Sequence, residues 1–295
     1  MSTYLQNPEQ DEAATTTSPT RQIGRSTPPS KCVAWSAVGL VAASWISAAA
    51  FGLYILCFYF GAIRSGHIEQ WNNNLSGLYD RDHPLAFLAM AAHLGTGAII
   101  LLLGPVQLID KFRGRWPAMH RWLGRLYVFT AFVAGLGGLG FIVSKGTIGG
   151  APMNLGFGVY GALMVLAATE TYRHARGRRF ETHRVWAIRL FALAIGSWLY
   201  RMDYGFWLLA AHRIGHTKTF RGPFDIVMSF FFYLPNLAFA ELFLRGRWKR
   251  LCSAFGISAV VVLNIATLVV GIGTYYFIRY HWGPGILHSL LGRAG

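Results

Sequence analysis

The chain has 295 residues, of which 54% are hydrophobic and only 13% are charged, and its formal net charge is +15 at pH 7. A soluble domain is about one quarter charged, so this composition excludes an ordinary soluble protein and predicts an integral membrane protein with several spans. The basic residues lie between apolar stretches, which is typical of membrane topology and makes a nucleic-acid partner unnecessary. Cys32, Cys57 and Cys252 are far apart and form no C-x-x-C motif, which excludes a zinc ribbon and covalently attached c-type haem.

Apolar stretches follow a polar N-terminal segment. Residues 1–31 lack apolar periodicity, so we expect a disordered cytoplasmic tail. A membrane-spanning helix needs about 20 apolar residues. The predicted fold is an all-α polytopic transmembrane helix bundle over 32–281, followed by a short outer tail over 282–295. Its seven expected spans are 34–63, 84–109, 120–144, 154–172, 184–212, 224–244 and 251–280, and Pro235 predicts a kink in the sixth.

The distribution of Lys and Arg predicts the orientation. With the N-terminus inside, the inner connections contain 16 Lys and Arg residues and the outer ones contain 8. Cytoplasmic connections carry the excess of positive charge, so we expect the N-terminus inside and the C-terminus outside. Arg next to Trp at a bilayer boundary is typical of a head-group anchor. The anchors expected to contact anionic lipid at the inner face are Arg113, Arg115, Trp116, Arg121, Arg245, Arg247 and Trp248.

A repeated phrase indicates two copies of one helical hairpin. A His-Arg pair followed by Trp begins the third and fifth spans, at His120 and His183. The phrase "HLGTG" begins at His93, 27 residues before the first pair, and "NLGFG" begins at Asn154, 29 residues before the second. The pattern predicts a central four-helix bundle made of two duplicated hairpins, with spans one, six and seven packed around it.

Ionisable residues at membrane depth usually face the bundle interior or a cavity. Arg201 is 18 residues, or five whole turns, from His183, so both lie on one face of span five. At 1.5 Å per residue, Arg201 lies about 16 Å and His93 about 14 Å from the outer ends of their spans. We hypothesise a site for an anionic or quinone-like ligand formed by His93, Gln107 and Arg201. The alternative is a His bonded to a backbone carbonyl and an Arg paired with a carboxylate other than Asp203, which points away.

The inner pair, His120 and His183, raises a second hypothesis. Two imidazoles at equal depth on facing helices are the ligands of a bis-His haem b. Each is followed by Arg at the water boundary, where His commonly serves only as an anchor. In the second hairpin, Asn154 occupies the position equivalent to His93, so the sequence offers no second pair of histidine ligands.

The remaining polar residues have simpler interpretations. Asn264 predicts an interhelical hydrogen bond, and Asp225 lies where span six begins. His212 falls near the polar stripe of span five. The histidines expected in solvated loops or tails are His67, His83, His174, His216, His281 and His288.

Three motifs in order, "HLGTGAIILLLGPVQ", "HRWLGRLYV" and "HRVWAIRLFALAIGSWLYR", resemble the bacterial membrane proteins called domain of unknown function 2306. The resemblance covers roughly residues 84–205 and implies a multispan protein of a bacterial cytoplasmic membrane, without implying a reaction. Ala187 replaces the Met that usually follows the Trp. The matching positions are His93, Gly104, Pro105, Gln107, His120, Arg121, Gly124, Arg125, Tyr127, His183, Arg184, Trp186, Arg189 and Arg201.

Three function classes follow. The first is a protein that holds haem or quinone in the four-helix core for electron transfer. The second is a transporter or a membrane protein that binds a small anionic ligand at an intramembrane His/Arg site. The third is a structural or assembly protein without a ligand. The sequence contains no G-x-S-x-G, Walker or H-E-x-x-H motif, so no catalytic residue is predicted.

Overall fold

The computed structural model describes residues 31–73, 77–107, 109–246 and 256–291, and every regular element in these ranges is helical. The all-α class is therefore confirmed. The predicted tail up to residue 30 and the anchors Arg247 and Trp248 lie outside the described residues.

Twelve α-helices lie within the described ranges. A π-helical turn (Ile55–Phe60) joins the first two, a 3-10 helix (Ile68–Asn73) follows, and a second π-helical turn (Ile278–Trp282) joins the last two. The α-helices are α1 Lys31–Tyr54, α2 Gly61–Ser65, α3 Pro84–Gln107, α4 Asp110–Arg115, α5 Pro117–Lys145, α6 Ala151–Arg176, α7 Phe180–Ala194, α8 Gly196–Ala210, α9 Pro223–Phe231, α10 Leu234–Leu244, α11 Gly256–Phe277 and α12 Gly283–Leu291.

Six helical segments of the described chain are long and apolar enough to cross a membrane, where the sequence predicted seven. The difference lies in the predicted fifth span, which consists of α7 and α8, each 15 residues long. Each alone measures about 22 Å at 1.5 Å per residue, which is shorter than the roughly 30 Å hydrocarbon core of a bilayer.

The interruption between α7 and α8 has an identifiable cause in Tyr160 of α6. Its hydroxyl donates a hydrogen bond of 3.0 Å to the Leu193 carbonyl and also interacts with the Ser197 backbone N–H. In an uninterrupted α-helix, that N–H and that carbonyl would bond each other directly. A side chain inserted into the ladder breaks the helix locally. The chain continues in the same direction, because Ile195 N–H still bonds the Phe191 carbonyl at 3.1 Å.

Two further predictions concern the C-terminal part of the chain. The predicted kink near Pro235 is confirmed, since α9 ends at Phe231 and α10 begins at Leu234. The segment predicted as a tail from residue 282 is instead helical to Leu291, because α11 continues through the π-helical turn into α12.

The helices form a closed ring in which neighbours pack along their length. The order is α1, α3, α5, α6, then α7 with α8, then α11, which returns to α1. Helices α9 and α10 pack outside this ring, against α6 and α7. Large apolar side chains such as Trp35 (74% exposed) and Val143 (86% exposed) cover its outer surface, as expected where a bundle faces lipid.

Close helix crossings fix the positions of α3 and α8 in the ring. A Cβ added at Gly137 of α5 would lie 2.6 Å from the Ala89 carbonyl oxygen of α3. A Cβ added at Gly273 of α11 would lie 2.5 Å from the Met202 carbonyl oxygen of α8. Only glycine permits such backbone approach. A predicted interhelical bond is also confirmed, from the Asn264 amide of α11 to the Ser36 hydroxyl of α1 at 3.2 Å.

Candidate ligand site

His93 of α3 and Arg201 of α8 line one small cavity inside the ring. His93 lies nine residues after Pro84 and Arg201 lies nine residues before Ala210, so the two reach the same depth from the predicted outer end. The cavity has a volume of about 20 Å³ and is bounded by Phe51, Ile55, His93, Leu94, Gly97, Leu101, Ser197 and Arg201.

The His93 ring is oriented by a backbone carbonyl. Its Nδ1 lies 2.8 Å from the carbonyl oxygen of Ala134 in α5. A carbonyl can only accept, so Nδ1 carries the proton and Nε2 of the neutral ring remains an acceptor. The alternative expectation of a His bonded to a carbonyl is thus correct for one ring nitrogen, and it leaves the other nitrogen available.

The Arg201 side chain makes one hydrogen bond among the described residues, from Nη1 to the carbonyl of Ser197 at 2.8 Å. Its guanidinium carbon lies 4.3 Å from the centre of the Phe51 ring, a cation–π contact. No carboxylate in the described ranges pairs with it, Asp203 included. The expected Arg–carboxylate pair is therefore not found there, and several of the five guanidinium donors remain open.

Most of the ionisable groups that interact electrostatically with Arg201 in the described chain are tyrosines, and His93 is a further one. The tyrosines are neutral at physiological pH, since a phenol ionises near pH 10. A buried cation surrounded by neutral groups carries a desolvation cost that a bound anion would offset. The tyrosines are Tyr54, Tyr59, Tyr160 and Tyr200.

Gln107, the third predicted member of this site, lies elsewhere. It is 14 residues beyond His93, about 21 Å along α3. Its Oε1 is 3.3 Å from the position of a Cβ on Gly124 in α5, and the residue does not line the Arg201 cavity. The structure therefore brings two of the three predicted residues together.

The predicted haem pair lies at the predicted inner end, on α5 and α7. Nδ1 of His183 is 2.9 Å from the Thr171 carbonyl of α6, so its Nε2 is the available nitrogen. Nδ1 of His120 is buried and has no hydrogen-bond partner in the described chain. The two rings interact electrostatically. Within the described ranges, no group of three or more His, Cys, Asp or Glu side chains could hold a metal ion.

The predicted anchors that fall within the described ranges are exposed. Trp116, between α4 and α5, is 53% exposed, and Arg245 lies 3.9 Å from Glu241 on the surface of α10. The other exposed anchors are Arg113, Arg115 and Arg121. Their positions suit contact with lipid head groups, which stays a prediction.

Sequence reasoning missed a buried carboxylate network at Asp225, which is 0% exposed. One carboxylate oxygen accepts from the Tyr204 hydroxyl and from His216 Nδ1, each at 2.7 Å. The other accepts from the backbone N–H of Thr217 at 3.0 Å and of Gly222 at 2.9 Å. An acidic residue in the first turn after Gly222 and Pro223 is a helix-start signal that could have indicated this role.

Five histidine expectations were wrong. His281 and His288 lie in the second π-helical turn and in α12 and not in a loop or tail. His216 is not solvated, because it binds Asp225. His174 is only 7% exposed and lies 3.2 Å from Glu170 within α6. His212, expected on the polar stripe of span five, follows the end of α8 and is exposed, with a φ of 47°.

A loop at the predicted outer end is held by Asp80. Its carboxylate accepts from Lys145 Nζ at 2.6 Å and from His83 Nδ1 at 3.1 Å. The Lys145 hydrogen bond is the main cause that lowers the pKa of Asp80 to about 2, and the Asp82 backbone N–H adds to it. The contact ties the segment before α3 to the end of α5.

A family model described as "Predicted membrane protein (DUF2306)" matches residues 90–244, more than half of the chain. No curated protein and no solved structure shows a significant match. The matched range contains both His93 and Arg201. It begins within the segment 84–205 on which the sequence resemblance rests and continues past its end to residue 244.

Proposed function

Because the chain belongs to the DUF2306 family of predicted membrane proteins, whose description assigns no activity, we propose a function from its geometry: binding of a small anion inside the helix bundle. The single observation that carries the proposal is the interior guanidinium of Arg201, which has no carboxylate partner among the described residues. Arg201 supplies positive charge and open donors. His93 Nε2 accepts from a protonated ligand oxygen or from a water that accompanies the anion.

The size of the cavity favours a small anion over a quinone. A volume of about 20 Å³ is room for about one water molecule, far less than a quinone ring needs. Chloride, formate and bicarbonate are suitable small probes, and chloride is the nearest of them to this size.

The interrupted helix beside the cavity favours transport as the wider role. Ser197, which lines the cavity, follows directly after the break between α7 and α8. Discontinuous helices near the bilayer midplane are common at the substrate sites of transporters.

The test is anion-dependent thermal unfolding of the purified protein in detergent. Sodium chloride, formate and bicarbonate are titrated against a constant background of sodium gluconate. A ligand that binds only the folded state raises the unfolding midpoint. We expect a saturable rise for the wild type that Arg201→Gln abolishes.

Arg279→Gln is the matched control, because Arg279 is also an arginine near an aromatic ring, 5.7 Å from Tyr280, but is exposed. It should respond as the wild type does. Equal anion responses of Arg201→Gln and wild type would refute the proposal.

Haem b at His120 and His183 is the second candidate function. The supporting observation is the His183 Nδ1–H bond to the Thr171 carbonyl, since haem- and metal-ligating histidines typically donate their other N–H in this way. A Soret band in the purified protein that His183→Ala removes is the expected result. Colourless protein with no bound iron would reject haem and leave the structural or assembly role as the remaining alternative.

We also propose seven spans in a bacterial cytoplasmic membrane, with the N-terminus inside, duplicated hairpins as the core, and anchors that contact anionic lipid. The consecutive order of α7 and α8 supports counting them as one span. The exposed Cys32 at the start of α1 offers a direct test. An impermeant maleimide should label it in inverted vesicles and not in intact cells, whereas the reverse result would overturn the orientation.

A further inference from the structure

A second cluster of interior polar side chains lies about 21 Å along α3 from His93, toward the predicted inner end. Three atoms in it are buried and have no hydrogen-bond partner in the described chain: Gln107 Nε2, His120 Nδ1 and the Tyr127 hydroxyl oxygen. Tyr127 is only 6% exposed. More than nine in ten buried polar groups are bonded, so three such atoms in one place need an explanation.

The three side chains converge on one face of α5. His120, Gly124 and Tyr127 are spaced by four and three residues, so they follow one another along the same side of the helix. The Gln107 amide of α3 lies against Gly124, with Oε1 3.3 Å from a Cβ position there. The Gln107 amide therefore lies beside the helix turn that separates His120 from Tyr127.

Gly104 of α3 allows Tyr127 to approach α3 closely. The Tyr127 ring lies 3.1 Å from the position of a Cβ on Gly104, one turn before Gln107. The absence of a side chain at Gly104 and Gly124 is what lets the polar groups approach the opposite helix closely.

The surroundings of the cluster are positively charged. Among the described side chains, the groups that interact electrostatically with His120 are the basic residues Arg113, Arg121 and His183. The amide and the phenol are hydrogen-bond donors, and His120 Nδ1 donates when it is protonated. Donors without acceptors in a positive potential are typical of a site for an acidic oxygen-bearing group.

We propose that Gln107, His120 and Tyr127 form a second binding site, for a phosphate or carboxylate oxyanion that enters from the predicted inner face. The site does not involve Arg201 and does not depend on the outer cavity. The Gln107 amide and the Tyr127 ring each lie against a glycine of the opposite helix, so binding requires the last turn of α3 to move. Pro105 weakens that turn, because proline supplies no backbone N–H to the helix ladder.

The same oxyanion chemistry can come from a free anion or from a lipid head group. In the first arm of the test, inorganic phosphate is titrated into detergent-solubilised protein without lipid, and the unfolding midpoint is measured. In the second arm, the protein is placed in phosphatidylcholine nanodiscs with and without phosphatidylglycerol, in phosphate-free buffer. A response in only one arm identifies the source.

The test variant is Gln107→Leu combined with Tyr127→Phe, which removes two donors and keeps similar shapes. Replacing unpartnered polar groups by apolar ones is neutral or stabilising, so the double variant should fold with an unfolding midpoint no lower than that of the wild type. The unfolding midpoints of the wild type and of Arg201→Gln should rise with inorganic phosphate, with phosphatidylglycerol, or with both. The double variant should need at least a tenfold higher concentration of the same probe for an equal rise. Tyr172→Phe, at an exposed tyrosine of α6, is the matched control and should respond as the wild type does.

The proposal is overturned if the double variant responds as the wild type does, or if neither probe changes the wild-type midpoint. It is also overturned if Arg201→Gln alone abolishes the response, because the oxyanion would then bind in the outer cavity. A wild type that responds to phosphate or phosphatidylglycerol but not to chloride, formate or bicarbonate would refute the outer site only.

Discussion

Two charged groups inside this bundle differ in how completely they are bonded. Asp225, at the start of α9, is fully buried and receives five hydrogen bonds from Tyr204, His216, Thr217 and Gly222, two of them from Thr217. Arg201, on α8, donates one side-chain hydrogen bond to a carbonyl of its own helix and otherwise lies over the Phe51 ring.

The difference separates a structural charge from a candidate binding site. A buried charge with a complete set of partners holds the protein together, and its removal leaves those partners unsatisfied. A buried charge without such partners contributes little to stability, so its presence calls for a ligand. Variants of both charges test this distinction, and two further variants give smaller changes in stability for comparison.

Asp225→Ala should have the largest effect. It leaves the Tyr204 hydroxyl, His216 and two backbone N–H groups without their acceptor. We expect the free energy of unfolding to fall by about 3–5 kcal/mol, as when one partner of a buried pair is removed. Unfolding by SDS titration in mixed micelles measures it, with the exposed Asp82→Ala as a control that should be neutral. A loss for Asp225→Ala no larger than that of the control would show that the network is not structural.

Arg201→Met should act in the opposite direction. Without added anion, removing an interior cation that has no carboxylate partner among the described residues should leave the free energy of unfolding unchanged or raise it by about 1–4 kcal/mol, because its desolvation cost disappears. The same titration measures the change. A destabilisation comparable to that of Asp225→Ala would show that Arg201 stabilises the fold as Asp225 does.

Tyr160→Phe should have an effect of about 1 kcal/mol on the free energy of unfolding, the net value of a typical hydrogen bond. The cost stays small because the Leu193 carbonyl and the Ser197 N–H can then bond each other directly. Amide hydrogen exchange at Ser197 provides the second readout, and it should slow as α7 and α8 join. Faster exchange there would mean that Tyr160 is not the cause of the interruption.

Asp80→Asn should have the smallest effect, since its salt bridge with Lys145 lies at the surface. The pKa of Asp80 is lowered to about 2 from a usual value of 3.8. Its contribution to stability is therefore complete above about pH 4 and is lost as the pH falls toward 2. The difference in unfolding midpoint between wild type and Asp80→Asn should shrink over that interval, and a difference that stays constant from pH 5 to pH 2 would contradict the assignment.

Much of this architecture is predictable from the sequence, because each membrane span is a long apolar stretch. Apolar length located the helices, and Pro235 located a break. Equal depth was enough to associate His93 with Arg201, which line one cavity. The prediction that Gln107 joins His93 was wrong because helical periodicity gives only the face of the helix on which a residue lies. The distance between the two residues along α3 places Gln107 at a different depth.

Other features depend on contacts that a single segment does not encode. The apolar sequence around Ile195 is continuous, and the break there comes from the Tyr160 side chain on another helix. His216 resembles a loop residue until Asp225 is placed against it. The sequence likewise does not show that His120 and Tyr127 lack hydrogen-bond partners among the described residues, because hydrogen bonding of buried groups depends on how the helices pack.

The central claim is that Arg201 binds an anion, and its own side-chain resonance tests this most directly. In protein labelled with ¹⁵N-arginine, the Nε–H signal lost in Arg201→Lys is followed while sodium formate replaces sodium gluconate. The account predicts a saturable shift of that signal while the Arg279 signal stays constant. An Arg201 signal that does not move, or that moves without saturation together with Arg279, would contradict it.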